Sequence, residues 1–199
     1  MVLAPDSLPM ITTVDTMPGP VQGHWTHSDY LALPDNGKRY EIVNGVLYMS
    51  PSPSIWHQNA VLQLALYIKQ YITSHQLGKV FIAPLDVELD FKTVVQPDIL
   101  VVLNENSSVI TDNGIVGAPN LVIEVASPGT TSYDRNQKLN LYERAGIQEY
   151  WIVDVMAHTI EVLVRHDGKY RARGVFQGKS QLPSQVLAGF SMRVEQVFE

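Results

Sequence analysis

The chain contains no cysteine. Disulfide frameworks and thiolate metal sites are therefore excluded, and any metal would need oxygen or nitrogen ligands. No stretch reaches the ~18 consecutive apolar residues of a membrane-spanning helix, and the N-terminus lacks a basic start followed by an apolar run. The expectation is a soluble, cytoplasmic protein with no membrane partner. Positive charge is scarce. Fourteen Lys and Arg face twenty Asp and Glu, a net charge of -6, which argues against a generic polyanion binder but leaves room for a local basic patch. A phosphate-cradling glycine loop is also missing, because Gly114 and Gly117 lack its spacing. The segment from Asn120 to Ser127 lacks the nucleophile elbow of a serine hydrolase. His24, His27, His75, His158 and His166 show no metal-ligand spacing. Asn106-Ser107-Ser108 matches a glycosylation sequon, read as chance in the absence of a secretion signal.

What is present fits one mixed α/β domain. A chain of 199 residues with 45% hydrophobic content can bury a real core. Residues 1–24 hold Pro5, Pro9, Pro18 and Pro20 with Gly19 and Gly23, and read as an irregular lead segment. Residues 25–199 read as a single domain without internal repeats. Thr26 caps a short helix that stops before Pro34. Two apolar runs around Asn44-Gly45 predict a hairpin from Arg39 to Ser50. A long helix is expected from about Ser54 to Gln76, with Val61, Leu62, Leu64, Ala65, Ile68 and Ile72 on its apolar face and Gly78 as its stop. Val80–Asp90 and Val94–Leu103 read as two strands joined by a short turn, followed by a polar loop over 104–118. Leu121–Ala126 is a buried strand, and a helix follows from Ser132 or Asp134 to Gly146. Tyr150–Val155 is another buried strand. Thr159–Val175 forms a hairpin around His166-Asp167-Gly168, and a short element follows Gly189. The plan is a central mixed sheet with helices on its faces.

Two of the apolar runs carry a lone carboxylate, Asp98 in the first and Glu124 in the second. A buried acid is costly unless its charge is compensated. A hard divalent cation held by both acids would do so, with the Val125 carbonyl as a third oxygen. Lys138, on the following helix, can approach the same point and stabilise charge on an attacked phosphate. Plainer readings stand beside these. Asp98 follows a proline and suits a turn, Glu124 suits a buried ion pair with Lys138 or Arg144, and Lys138 lies one helical turn after Asp134.

Several segments also resemble a known family. Tyr40-Glu41-Ile42-Val43-Asn44-Gly45, Pro97-Asp98, Ile123-Glu124-Val125-Ala126-Ser127-Pro128, Asp134-Arg135-Asn136-Gln137-Lys138-Leu139-Asn140-Leu141-Tyr142 and Glu149-Tyr150-Trp151-Ile152-Val153-Asp154 are similar to the Uma2 family. That family, formerly DUF820 and common in cyanobacteria, resembles the PD-(D/E)xK, restriction-endonuclease-like superfamily. The resemblance covers about residues 25–175 and implies a restriction-endonuclease-like core. It also implies phosphodiester hydrolysis with Mg2+ or Mn2+. By the same resemblance Asp98 and Glu124 match the two metal-binding acids, and Glu41 matches an accessory acid near the metal. The motif's lysine position holds Ala126, and the lysine has moved to the helix as Lys138.

Further candidates are weaker. His57 opens the long helix and could contact phosphate, or simply donate to backbone. Gln96 shares a strand face with Asp98 and could bind substrate or a metal water. Tyr142 lies one turn beyond Lys138 and could position it. Asp86, Glu88 and Asp90 alternate along one strand and read as a solvated edge. Lys38, Arg39, Lys69, Arg135 and Arg144 could track a nucleic-acid backbone. The leading expectation is a metal-dependent endonuclease acting on DNA as a homodimer. The alternatives are an inactive nuclease-like binding or assembly protein, and a metal-dependent phosphodiesterase for small substrates.

Overall fold

A computed structural model describes residues 11–126 and 133–199. The N-terminal elements build a first sheet. Residues 12–13 form a short strand, β1, paired with Met49 and Tyr48. Helix α1, His27–Leu31, starts at Thr26, whose side chain and that of Asp29 cap each other's backbone N–H groups. Strands β2, Arg39–Val43, and β3, Val46–Ser50, pair through the expected turn, with Asn44 at φ 52° and Gly45 at φ 77°. That double left-handed turn is what Asn-Gly supplies.

Helix α2, Ile55–His75, is capped by Ser54 and presents Ala60, Val61, Leu64, Ile68 and Ile72 to the core. Each large apolar side chain so buried is worth about 1.5–3 kcal/mol. Leu62 departs from the sequence expectation: it is exposed, as is Leu66. The helix stop also differs. Gln76 takes the left-handed cap at φ 53°, and Gly78 instead opens β4, Gly78–Ile82. There a side chain would collide with the Val102 carbonyl of the neighbouring strand.

The two long strands expected next are each broken. The first divides into β4 and β5, Val87–Asp90, and the second into β6, Thr93–Val95, and β7, Ile99–Leu103. Pro84 and Pro97 stand in the two gaps, where a missing N–H ends the ladder. The segment 104–118 is not all loop: it holds a 3-10 helix, Asn104–Val109, and β8, Ile115–Val116. Strand β9, Leu121–Ala126, lies next to β7. A wide π-type turn, Asp134–Lys138, leads into α3, Leu139–Ala145. The proposed start at Ser132 lies outside the described residues, as does the Asp134 side chain. Strands β10, Glu149–Asp154, β11, Thr159–His166, and β12, Lys169–Gln177, complete the second sheet. Val194–Val197 is a final 3-10 turn.

The class is mixed α/β, as expected, but the strands divide between two six-stranded sheets rather than one. The first runs β1-β3-β2-β6-β5-β8 and the second β12-β11-β10-β9-β7-β4. Helix α2 covers one face of the second sheet, over Ile99, Val101, Leu121, Ile123, Val125 and Trp151. The other face packs against α3 and the first sheet, joining Leu100, Val122, Ile152 and Tyr142 to Val43, Val87 and Val95. Residues 96–98 carry the chain from one sheet to the other. Among the described residues, no helix is long and apolar enough to cross a membrane.

Candidate functional site

The predicted acids converge at the seam between the sheets. Glu41 comes from β2, Glu124 from β9, and Asp98 from the bend just before β7 rather than from mid-strand. Alternation places Glu124 with Val122 and Ala126 on the face turned toward α3. The β7–β9 register pairs Ile99 with Ile123. Continued by one residue, it sets Asp98 opposite Glu124. All three acids are buried, as is Lys138.

Lys138 binds two of them. Its Nζ donates to Glu124 Oε1 at 2.9 Å and to Glu41 Oε1 at 3.1 Å. Lys138 closes the π-type turn, an irregularity frequent at functional sites. The helix thus delivers the amine that Ala126 lacks. Tyr133 lies beneath this ammonium, with the nitrogen 5.7 Å from its ring centre. Tyr142 donates its hydroxyl to Glu124 Oε1 at 2.6 Å and packs edge-on against Tyr150. Burial raises the Tyr142 hydroxyl well above its ordinary value, and the Glu124 charge adds to the shift. Tyr142 is therefore a fixed donor. Arg144, the other partner considered for Glu124, reaches Asn44 instead.

Asp98 is held separately. Its Oδ2 accepts from the Val125 N–H at 2.8 Å and from His57 Nε2 at 3.1 Å. Burial pushes its carboxyl up, but the His57 hydrogen bond and charge, the Val125 N–H and the Lys138 charge together hold it below the ordinary range. His57 therefore binds a site acid rather than backbone. Val125 meets the site through its N–H.

Gln96 also departs from expectation. Its amide is engaged by protein: Oε1 accepts from Arg39 Nε at 3.2 Å, while Nε2 donates to Asp86 Oδ1 at 2.8 Å and to the Tyr30 hydroxyl at 3.1 Å. Its backbone N–H donates to Glu41 Oε1 at 2.8 Å. Substrate binding by Gln96 would break these bonds. Of Asp86, Glu88 and Asp90, only Asp90 is exposed, because β8 covers β5 at Val87 and Glu88. Asp86 holds Tyr30 and Gln96, Glu88 pairs with His27, and Asp90 caps the Lys92 N–H.

Of the five basic residues singled out in the sequence, Arg39 reaches this cluster, 3.9 Å from Asp98 Oδ1. Arg135 pairs with Glu161, and Lys69 lines a groove between α2 and β4. The sequence reading missed Tyr133, Tyr30 and the link through Gln96. Tyr30 and the Gln96 link carry no periodic or motif signal, because their contacts span distant segments.

Glu41 Oε2 is buried and has no hydrogen-bond partner among the described residues. Leaving such a group unmet costs about 1–3 kcal/mol, more when charged. Three carboxylates here face Lys138, Arg39 and the His57 imidazole. Among the described residues, no three His, Asp or Glu side chains form a ready metal cage. Lys138 already bridges two of the acids.

A family model described as "Putative restriction endonuclease", Uma2, matches residues 27–195. This chain belongs to the Uma2 family. Membership supports a nuclease as the coarse functional class. A Synechocystis protein, sll1609, itself uncharacterized, is 24% identical over 141 residues, covering 68% of this chain and 78% of that one. The crystal structure of a "putative nuclease belonging to DUF820" from Anabaena variabilis superposes with a TM-score of 0.74 at 18% identity. That match covers 90% of this chain and 98% of the other, and establishes a shared fold.

Proposed function

We propose that this Uma2 protein is a metal-dependent endonuclease that hydrolyses phosphodiester bonds in DNA, with Mg2+ or Mn2+ as cofactor. The observation that carries the reading is the meeting of Glu41, Asp98 and Glu124 at one seam, with Lys138 bridging two of them. The donors are hard oxygens, the type such ions prefer, and the unpartnered Glu41 Oε2 favours a cation. Asp98 and Glu124 would hold it, with Glu41 assisting. A bound divalent ion would supply Lewis acidity and lower the pKa of a coordinated water.

The chain's own residues do the remaining work. Lys138 offsets the repulsion between Glu41 and Glu124 and supplies a fixed positive charge where a phosphate gains negative charge. Tyr142 and the Val125 N–H fix Glu124 and Asp98, and His57 orients Asp98. Burial keeps bulk water from screening these charges. A homodimer, with two centres for two strands, belongs to this reading; a single 22.2 kDa species in sedimentation would remove it.

The test is cleavage of plasmid and oligonucleotide DNA with added Mg2+. D98A and E124A are each expected to abolish it, and activity surviving both changes would refute the assignment. Cleavage of a chromogenic diester without cleavage of DNA would move the substrate to small phosphodiesters. One observation favours a non-catalytic binding role: an ammonium already satisfies two of the acids. Calorimetry showing no metal uptake would support that role.

A further inference from the structure

Three carboxylates at one seam repel the phosphate they are meant to engage. Something positive must meet the substrate first. Lys138 is poorly placed for that, since its side chain keeps 6% of its exposure and is committed to the acids. Arg39 keeps 28%.

The guanidinium of Arg39 is held along one side only. Its Nε donates to Gln96 Oε1 at 3.2 Å and its Nη2 to the Gln96 carbonyl at 2.9 Å. Gln96 is pinned in turn by Asp86 and Tyr30, and the Tyr30 hydroxyl donates to Asp86 at 2.7 Å. Nη1 has no hydrogen bond among the described residues. Asp98 Oδ1, at 3.9 Å, is beyond hydrogen-bond reach. The result is a pre-oriented cation whose open donors face the acid that would hold the metal. A guanidinium suits phosphate oxygens, and its ordering cost is met before substrate arrives.

We propose that Arg39 is the phosphate anchor of the site, with its Nη1 donating to a non-bridging oxygen of the DNA backbone beside Asp98. Gln96 acts through Arg39 and is a positioning residue. This assignment rests on the nuclease reading above and names the residue that captures its substrate.

The experiment is binding of a fluorescein-labelled DNA duplex to the full chain in EDTA, followed by anisotropy over a range of salt concentrations. R39Q is expected to bind about tenfold or more weakly, as loss of a charge-assisted hydrogen bond implies. Its log–log salt slope should fall by about 0.9, the value for one phosphate contact. K69Q should keep both affinity and slope. Q96A should lose affinity but keep the slope, because the charge remains while its orientation is lost. R39K should also keep the slope, which guards against a folding defect in R39Q. An R39Q protein that folds, and whose slope matches wild type, overturns the assignment of Arg39 while leaving the nuclease reading intact. Wild-type protein that neither binds nor cuts DNA overturns both.

Discussion

Lys138 donates to Glu41 at 3.1 Å, although Glu41 belongs to the first sheet and Lys138 to the connection between β9 and β10 of the second. The same nitrogen holds Glu124. One buried cation thus connects both sheets, and its removal strands two buried carboxylates.

K138M should therefore unfold at markedly lower urea concentration than wild type, by an amount equivalent to about 3–5 kcal/mol. Neutralising the acids in that background, as E41Q/E124Q/K138M, should recover part of the loss. Equilibrium unfolding followed by circular dichroism decides this. A K138M midpoint equal to wild type would contradict the bridging role.

Tyr142 gives a smaller and more local effect. Its hydroxyl donates to an ionised carboxylate in a dry environment. Y142F keeps the ring and its edge-on contact with Tyr150, so only the hydrogen bond is lost. The expected cost is about 1.5–3 kcal/mol, the range for hydrogen bonds to charged groups. The same urea experiment measures it.

Glu149 is a buried acid that stands apart from the cluster around Lys138. It is fully buried and accepts from Trp151 Nε1, Ser184 Oγ and the N–H groups of Gln185 and Val186. It makes no contact with the acid cluster in that network. E149A should lower stability by about 3 kcal/mol or more, because several buried donors lose their acceptor. DNA cleavage per folded molecule, measured well below the unfolding midpoint, should stay within about twofold of wild type on the ordinary additivity of distant sites.

Acid sensitivity has a source away from the site. Lys169 and the Tyr170 N–H bond Glu143 and hold its carboxyl below the ordinary 4.5, the Lys169 hydrogen bond contributing most. A depressed folded-state pKa stabilises the fold above the unfolded value, and that contribution fades as pH falls through the folded value. The urea midpoint of wild type should therefore drop more steeply than that of E143Q between about pH 5 and pH 3. Equal slopes would show that the pair does not contribute.

Much of this was legible in the sequence because the signals were local. Asn44-Gly45 specified its turn, Thr26 and Asp29 their helix start, and the spacing of Val61, Leu64, Ile68 and Ile72 the buried stripe. Glu124 stood out because an acid in an apolar strand demands a partner, and Lys138 is that partner. What periodicity does not encode is which strands share a sheet. Val80–Asp90 reads as one run, yet its halves serve different sheets on either side of Pro84. For the same reason the sequence offers Gln96 to substrate or a metal water, while the fold gives it Tyr30 and Asp86, from other segments.

The bend at residues 96–98 has one further consequence. It spans the two sheets, and the groups proposed for chemistry are contributed from both sides of it. Neither half of the molecule holds a complete set. A nascent or partly unfolded chain therefore lacks the assembled cluster, which exists only once the two sheets have docked.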